Sequence, residues 1–262
     1  MSFYPTYFTE TTEIARHSAR QFVAREVLPY INDWEEAGTF PREMYEKAAS
    51  AGLLGVGYPE ELGGTGDDIF LKVAMTEEIM RSGSGGFAAS IGSLDIALPP
   101  IVKWGSDALR QRYAVPALQG KKIAALAITE PSGGSDVAGL KTRAERVGDD
   151  YIVNGSKIYI TSGIRADFYV AAVRTGGPGY AGISLLVIDR DLPGVSTGKP
   201  LRKMGWWASD TAEIFFDNVK VPASNLIGSE NAGFMLIMSN FQMERLNLAV
   251  MANMTSTMAL EE

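Results

Sequence analysis

The sequence predicts an α+β multidomain fold in three parts. These are an all-α N-terminal domain over residues 1–120, a central β-barrel-like or sandwich domain over 121–228, and the first helix of a C-terminal helical bundle over 229–262. Three observations carry this. Apolar residues recur at three- and four-residue spacing through the first part. From Ile123 onward, short apolar or alternating runs are separated by turn residues. From Asn231 a helical period returns and runs to Glu262 with no glycine cap or turn behind it. That open end leads us to expect a chain that continues into the rest of a bundle.

In the N-terminal part, Ile14/Ala15, Ala19, Phe22/Val23 and Val27 trace the stripe of a half-buried helix. Pro41 and Gly52 bracket a second helix that carries Met44, Tyr45 and Ala48. Two more are expected over Asp68 to Met80 and Phe87 to Lys103, the latter kinked at Pro99-Pro100. Ser106 reads as the N-cap of a helix that ends near Gly120. Strands are expected over Ile123–Thr129, Tyr151–Val153, Lys157–Thr161, Phe168–Val173, Ile183–Ile188 and Ala212–Phe216. Asn154-Gly155, between two of them, predicts a hairpin turn.

Composition excludes several kinds of chemistry. The 24 Lys/Arg against 31 Asp/Glu give a net charge of −7, which argues against a nucleic-acid partner. No apolar run reaches the roughly 18 to 20 residues of a membrane span. The N-terminus lacks the basic-then-apolar pattern of a secretory signal, so the expected location is cytoplasmic. With 0 Cys there is no disulfide frame, thiolate nucleophile or Cys-based zinc site. The 1 His, His17, cannot build a His-rich metal site, and no metal is expected. It sits in a polar run that reads as a solvated helix face. Proton transfer then falls to a carboxylate tuned by burial, or redox chemistry is supplied by a cofactor.

Two glycine patterns fail as dinucleotide fingerprints. Gly83-Ser84-Gly85-Gly86-Phe87-Ala88 follows a helical segment rather than a strand. Gly177-Pro178-Gly179-Tyr180-Ala181-Gly182 follows a strand but leads into another, so no helix N-terminus is available for a pyrophosphate. Both read as connecting loops.

More informative is Ala127-Ile128-Thr129-Glu130-Pro131-Ser132-Gly133-Gly134-Ser135-Asp136, where a strand enters a loop rich in small residues and backbone donors. Alone, this is a generic turn as readily as a site. Some twenty residues on comes Lys157-Ile158-Tyr159-Ile160-Thr161-Ser162-Gly163, with an aromatic and a hydroxyl at i and i+2 on one strand face. Then follows Met204-Gly205-Trp206-Trp207-Ala208-Ser209-Asp210-Thr211.

In this order and at these spacings, the three segments resemble the acyl-CoA dehydrogenase family: its T-E-P-x-x-G-S-D signature, its W-I-T-N-G strand and its M-G-x-x-x-S-D-T segment. The resemblance covers nearly the whole chain and implies a central domain that binds FAD. By position, Leu126, Ala127, Ile128 and Thr129 would border the flavin, with Ile128 and Thr129 bonding the polar edge of its ring. Gly134 and Ser135 would lie at the cofactor, with Ser135 reaching the pyrophosphate or the edge of the CoA chain. Tyr159 and Ile160 would pack at the ring, and Thr161 would donate towards N5, the atom that receives hydride. The sequence departs from the family pattern at Tyr159 (usually Trp), Ser162 (usually Asn) and Leu126 (Tyr in some members). These departures alter ring packing rather than remove it.

In the last helical pattern, Ile237, Phe241, Leu248 and Met251 share one stripe with Glu244 in its middle. Periodicity leaves two readings: a Glu at the stripe's edge bonded to a polar neighbour, or a carboxylate whose pKa desolvation raises into the range of a general base. Gln242-Met243-Glu244-Arg245-Leu246 is similar to the segment holding the catalytic Glu in the isovaleryl-CoA and long-chain branches. The resemblance thus implies Glu244 as the base, with Gln242, Met243, Arg245 and Ser135 at the substrate. Other members place the base in the later bundle. The implied reaction is oxidation of an acyl-CoA to the trans-2-enoyl-CoA by a homotetramer, with an electron-transfer flavoprotein as acceptor. A flavin oxidase or monooxygenase on the same fold, and a non-catalytic acyl-CoA-binding or partner subunit, are the alternatives.

Overall fold

The structure is a computed structural model that describes residues 7–66 and 68–262. Five helices come first: α1 (Glu10–Phe22), α2 (Ile31–Ala37), α3 (Glu43–Ser50), α4 (Ile69–Met80) and α5 (Gly85–Trp104). Then α6 (Asp107–Leu109) runs through a π turn at Arg110–Ala114 into α7 (Val115–Leu118). Four starts carry a side-chain cap: Thr9 accepts from the Thr12 N–H, Asp68 from Phe70 and Leu71, Ser84 from Phe87, and Ser106 from Leu109. The expected α1 stripe buries Ala19, Phe22, Val23 and Val27, but Ile14 lies off it and is 63% exposed.

The strands are β1 (Ala124–Ala127), β2 (Arg143–Val147), β3 (Asp150–Thr161), β4 (Phe168–Arg174), β5 (Ile183–Asp189), β6 (Val195–Thr197), β7 (Thr211–Pro222) and β8 (Leu226–Ile227). Their order is β6-β7-β3-β2-β4-β5-β8, with β1 parallel beside β4. Only the Arg143–Arg174 pairing joins β2 to β4. The sheet therefore divides into two sections, and their faces meet where the Tyr169 ring abuts Phe216 edge-on. β4 and β5 are buried almost throughout and read as continuous apolar runs, as interior strands do.

Asn154-Gly155 is not a turn: β3 runs through it. The hairpin turns instead at Gly148-Asp149, between the paired Val147 and Asp150, with Gly148 at φ 62°. Asn154 and Gly155 mark a bulge against β7. A Cβ at Gly155 would stand 2.6 Å from the Thr142 hydroxyl, so glycine is required there by close approach. A second bulge between Lys157 and Ile160 places Tyr159 at φ 60°. The simple alternation that put Tyr159 and Thr161 on one face does not hold across it. The second glycine pattern is, as expected, the loop between β4 and β5. The first one joins α4 to α5 and supplies the first turn of α5.

The chain closes with α8 (Gly233–Glu261). Its start is fixed on the sheet: the Asn231 N–H donates to Ser184 Oγ at 2.7 Å, and Gly233 lies so close to β5 that a Cβ would meet the Ser184 backbone at 2.7 Å. Farther along, Asn240 donates to the Ile96 carbonyl at 2.7 Å. Pro100 lacks the N–H that would normally take that carbonyl in α5, so the side chain from α8 satisfies it. Met254 then packs with Met80 and Ala88. The two helices therefore run antiparallel, and the side chains of α8 have a fixed phase towards α5.

By length and a mean hydropathy of 1.3, α5 meets the composition of a membrane-crossing helix, although interspersed small and polar residues break it into short apolar runs. Within the fold, 67% of that stretch is buried against protein, and α5 is a core helix between α4, α8 and β1.

Candidate active site

α4, α5 and α8 enclose a cavity of about 210 Å³, closed on one side by the Leu53–Val56 segment and on another by Thr161 and Trp206 from the β domain. Its walls are mostly apolar, with Leu54, Met75, Ile79, Ile91 and Met251 among them. On α5, Ala88, Ala89, Gly92, Asp95 and Ile96 line the cavity together with Ile91 and Leu94. A Cβ on Gly92 would meet nothing within 4 Å.

Glu244 lies in this cavity with Thr161. Its Oε2 is buried with no hydrogen-bond partner among the described residues. Burial pushes its carboxyl above the usual range, and the neighbouring Arg245 guanidinium opposes this only in part. Of the two readings left open by periodicity, the edge residue bonded to a polar neighbour is not what the structure shows. α8 also sends Asn247, Leu248 and Met251 into the cavity. Gln242, Met243 and Arg245 are not in its lining: Gln242 and Arg245 are exposed, and Arg245 lies over the Phe241 ring at 5.9 Å.

The signature loop is anchored by a buried ion pair that sequence reading passed over. Lys157, fully buried, donates to Glu130 Oε1 at 2.9 Å and to the Ile128 carbonyl at 3.0 Å. Glu130 also accepts the Lys141 N–H at 2.6 Å and the Thr142 N–H at 2.9 Å. Burial pulls Lys157 down to about 8. For Glu130, burial acts upward, but the Lys157 charge and these hydrogen bonds hold it below its ordinary value. The Ile158 N–H donates to the Thr129 carbonyl at 2.9 Å, which sets the end of β1 beside the β3 bulge.

Ala127, Ile128 and Ile160 are buried, and Leu126 and Thr129 are half-buried. Gly134 and Ser135 are exposed on the loop, outside the cavity. Tyr159 is 66% exposed, a flat aromatic surface at the β3 bulge.

The third segment supports the second. Asp210 accepts Arg165 Nε at 2.5 Å and the Ile164 N–H at 2.7 Å, while its carbonyl accepts the Ser162 N–H at 2.9 Å. These bonds hold the turn directly after Thr161. Trp206, at φ 58°, reaches back to the start of α5. A Cβ on Gly85 would stand 2.0 Å from its indole nitrogen, and one on Gly86 2.8 Å from its carbonyl carbon. The Gly85-Gly86 pair and Trp206 were both visible in the sequence; what could not be seen there is that one exists to seat the other.

A helical domain, a two-section sheet and a long helix that brings a carboxylate into one cavity with Thr161 of the sheet define the class of fold, and comparison with known proteins identifies it. The acyl-CoA dehydrogenase N-terminal domain profile matches residues 9–121 and the middle domain profile residues 125–219. The chain belongs to the acyl-CoA dehydrogenase family. It is 40% identical over 259 residues to the mitochondrial long-chain specific acyl-CoA dehydrogenase of Rattus norvegicus, covering 97% of this chain and 60% of that one. A probable acyl-CoA dehydrogenase from Mycobacterium abscessus superposes with a TM-score of 0.95 at 52% identity, over 97% of this chain and 68% of that one. An acyl-CoA dehydrogenase complexed with FAD from Bacillus anthracis gives 0.87 at 31%, over 94% of this chain and 42% of that one. The chain thus spans about 60% of the length of the rat relative.

Proposed function

We propose that the protein oxidises an acyl-CoA thioester to the trans-2-enoyl-CoA, with FAD as cofactor and Glu244 as base. The observation that carries this is the unpartnered, buried Oε2 of Glu244 in a cavity shared with Thr161. A carboxylate left without a donor in an apolar wall costs stability unless a ligand uses it. Raised above the ordinary range by burial, it is a better proton acceptor for a weakly acidic carbon.

The residues present fit the flavin. Tyr159 offers an exposed flat face, and the ends of β1 and β3 are pinned side by side by the Ile158–Thr129 bond. Leu126, Ala127, Ile128, Thr129, Tyr159, Ile160 and Thr161 would hold the ring, and Gly134 and Ser135 the pyrophosphate or the CoA chain. Bound FAD supplies the oxidant that accepts the hydrogen leaving the β-carbon with its electron pair. Glu244 takes the α-proton, the Thr161 hydroxyl donates from the end of β3, and the apolar walls exclude water. Outside the cavity, Gln242, Met243 and Arg245 would meet the CoA chain. For the whole protein we extend the reading to a homotetramer that passes electrons to an electron-transfer flavoprotein. This extension rests on family membership.

The test is Glu244→Gln in the flavin-loaded protein. Acyl-CoA still binds, but anaerobic bleaching of the flavin band falls by about two to four orders of magnitude. Bleaching at the wild-type rate would place the base elsewhere. A protein that takes up no flavin would end the proposal.

A further inference from the structure

The catalytic reading uses Glu244 and Thr161 but leaves a second polar group in the same cavity unexplained. Lys72 on α4 and Asp95 on α5 both line it, their charged ends 2.8 Å apart. Thr76, one turn beyond Lys72, shares that wall. The Lys72 ammonium also lies 5.3 Å from the centre of the Tyr58 ring, and the Tyr58 hydroxyl is 3.5 Å from Asp95. Both contacts to Asp95 fall on Oδ1, and none falls on Oδ2 among the described residues.

A pair whose only role is to brace α4 against α5 needs no access to a cavity. This one has it, because the α5 residue one turn before Asp95 is Gly92, over whose backbone the space is open. A plain hydrocarbon filling the cavity would strip water from Oδ2 and from the free ammonium hydrogens and give nothing back. A hydroxyl can donate to the one and accept from the other; a keto oxygen can accept from the ammonium.

We propose that the cavity selects acyl groups bearing a hydroxyl or keto oxygen remote from the thioester, held by the Lys72–Asp95 pair. This rests on the acyl-CoA reading above.

The test is calorimetric binding to the flavin-loaded protein, with the S-octyl thioether of coenzyme A and its monohydroxylated derivatives, substituted beyond the β-carbon, as probes. At least one derivative is expected to bind about tenfold or more tightly than S-octyl-CoA. The Lys72→Met/Asp95→Leu double variant is expected to lose that preference. Equal binding of every probe overturns this inference and leaves the acyl-CoA reading standing, as does a preference that survives in the double variant. If no probe binds, both readings fall. Should the variant not fold, the wild-type panel decides alone.

Discussion

At Lys157 and Glu130, two charges deep in the sheet are tolerable only because each satisfies the other and the backbone around them. Lys157→Met removes one side and is expected to cost about 3–5 kcal/mol, read as a lowered urea midpoint. The pair went unread because Glu130 sits in a loop and Lys157 was expected at the start of a strand rather than inside one, places where charges are usually solvated. Glu244 was legible for the opposite reason: a carboxylate inside an apolar stripe stands out in the sequence. Because burial raises its pKa, folding contributes stability through this group only at low pH, and that contribution is lost as pH rises through the raised value. Activity should rise over the same window. We expect the acid limb of kcat/KM above the ordinary carboxylate range, and Glu244→Gln should melt at a higher temperature than wild type at neutral pH.

At the scale of elements, helix starts were readable at Ser106 and Asp68, while Ser84, which caps α5, was missed and that helix was expected to start at Phe87. Turns were not readable from dipeptides alone. Asn154-Gly155 carries the stronger hairpin signal, yet the chain turns at Gly148-Asp149, because Gly155 is needed for Thr142 to approach. Contacts between elements were also hidden, since Lys72, Asp95 and Asn247 lie on separate helices. Asn240 is such a case: Asn240→Leu keeps the branched shape but leaves the Ile96 carbonyl bare, and should cost about 1–3 kcal/mol in denaturant titration. Gly85→Ala tests the seat of Trp206. Its new methyl collides with the indole, so tryptophan emission should shift and acyl-CoA binding weaken, at about 1–3 kcal/mol of overpacking.

In the molecule as a whole, the helical layer and the sheet meet at the cavity, and α8 touches both. Its first residue is wedged against β5, its middle hooks α5 through Asn240, and Glu244 follows one turn later. The azimuth of the carboxylate is therefore indexed from the sheet, as a key's bit is from its shoulder. Splicing one alanine in after Phe241 would swing Glu244 by about 100° around the helix axis, while four would bring it back within about 40° at roughly 6 Å farther along. Bleaching by acyl-CoA should vanish in the first variant and partly recover in the second. A register-independent loss would mean that the helix, and not the angular station of its acid, was what mattered.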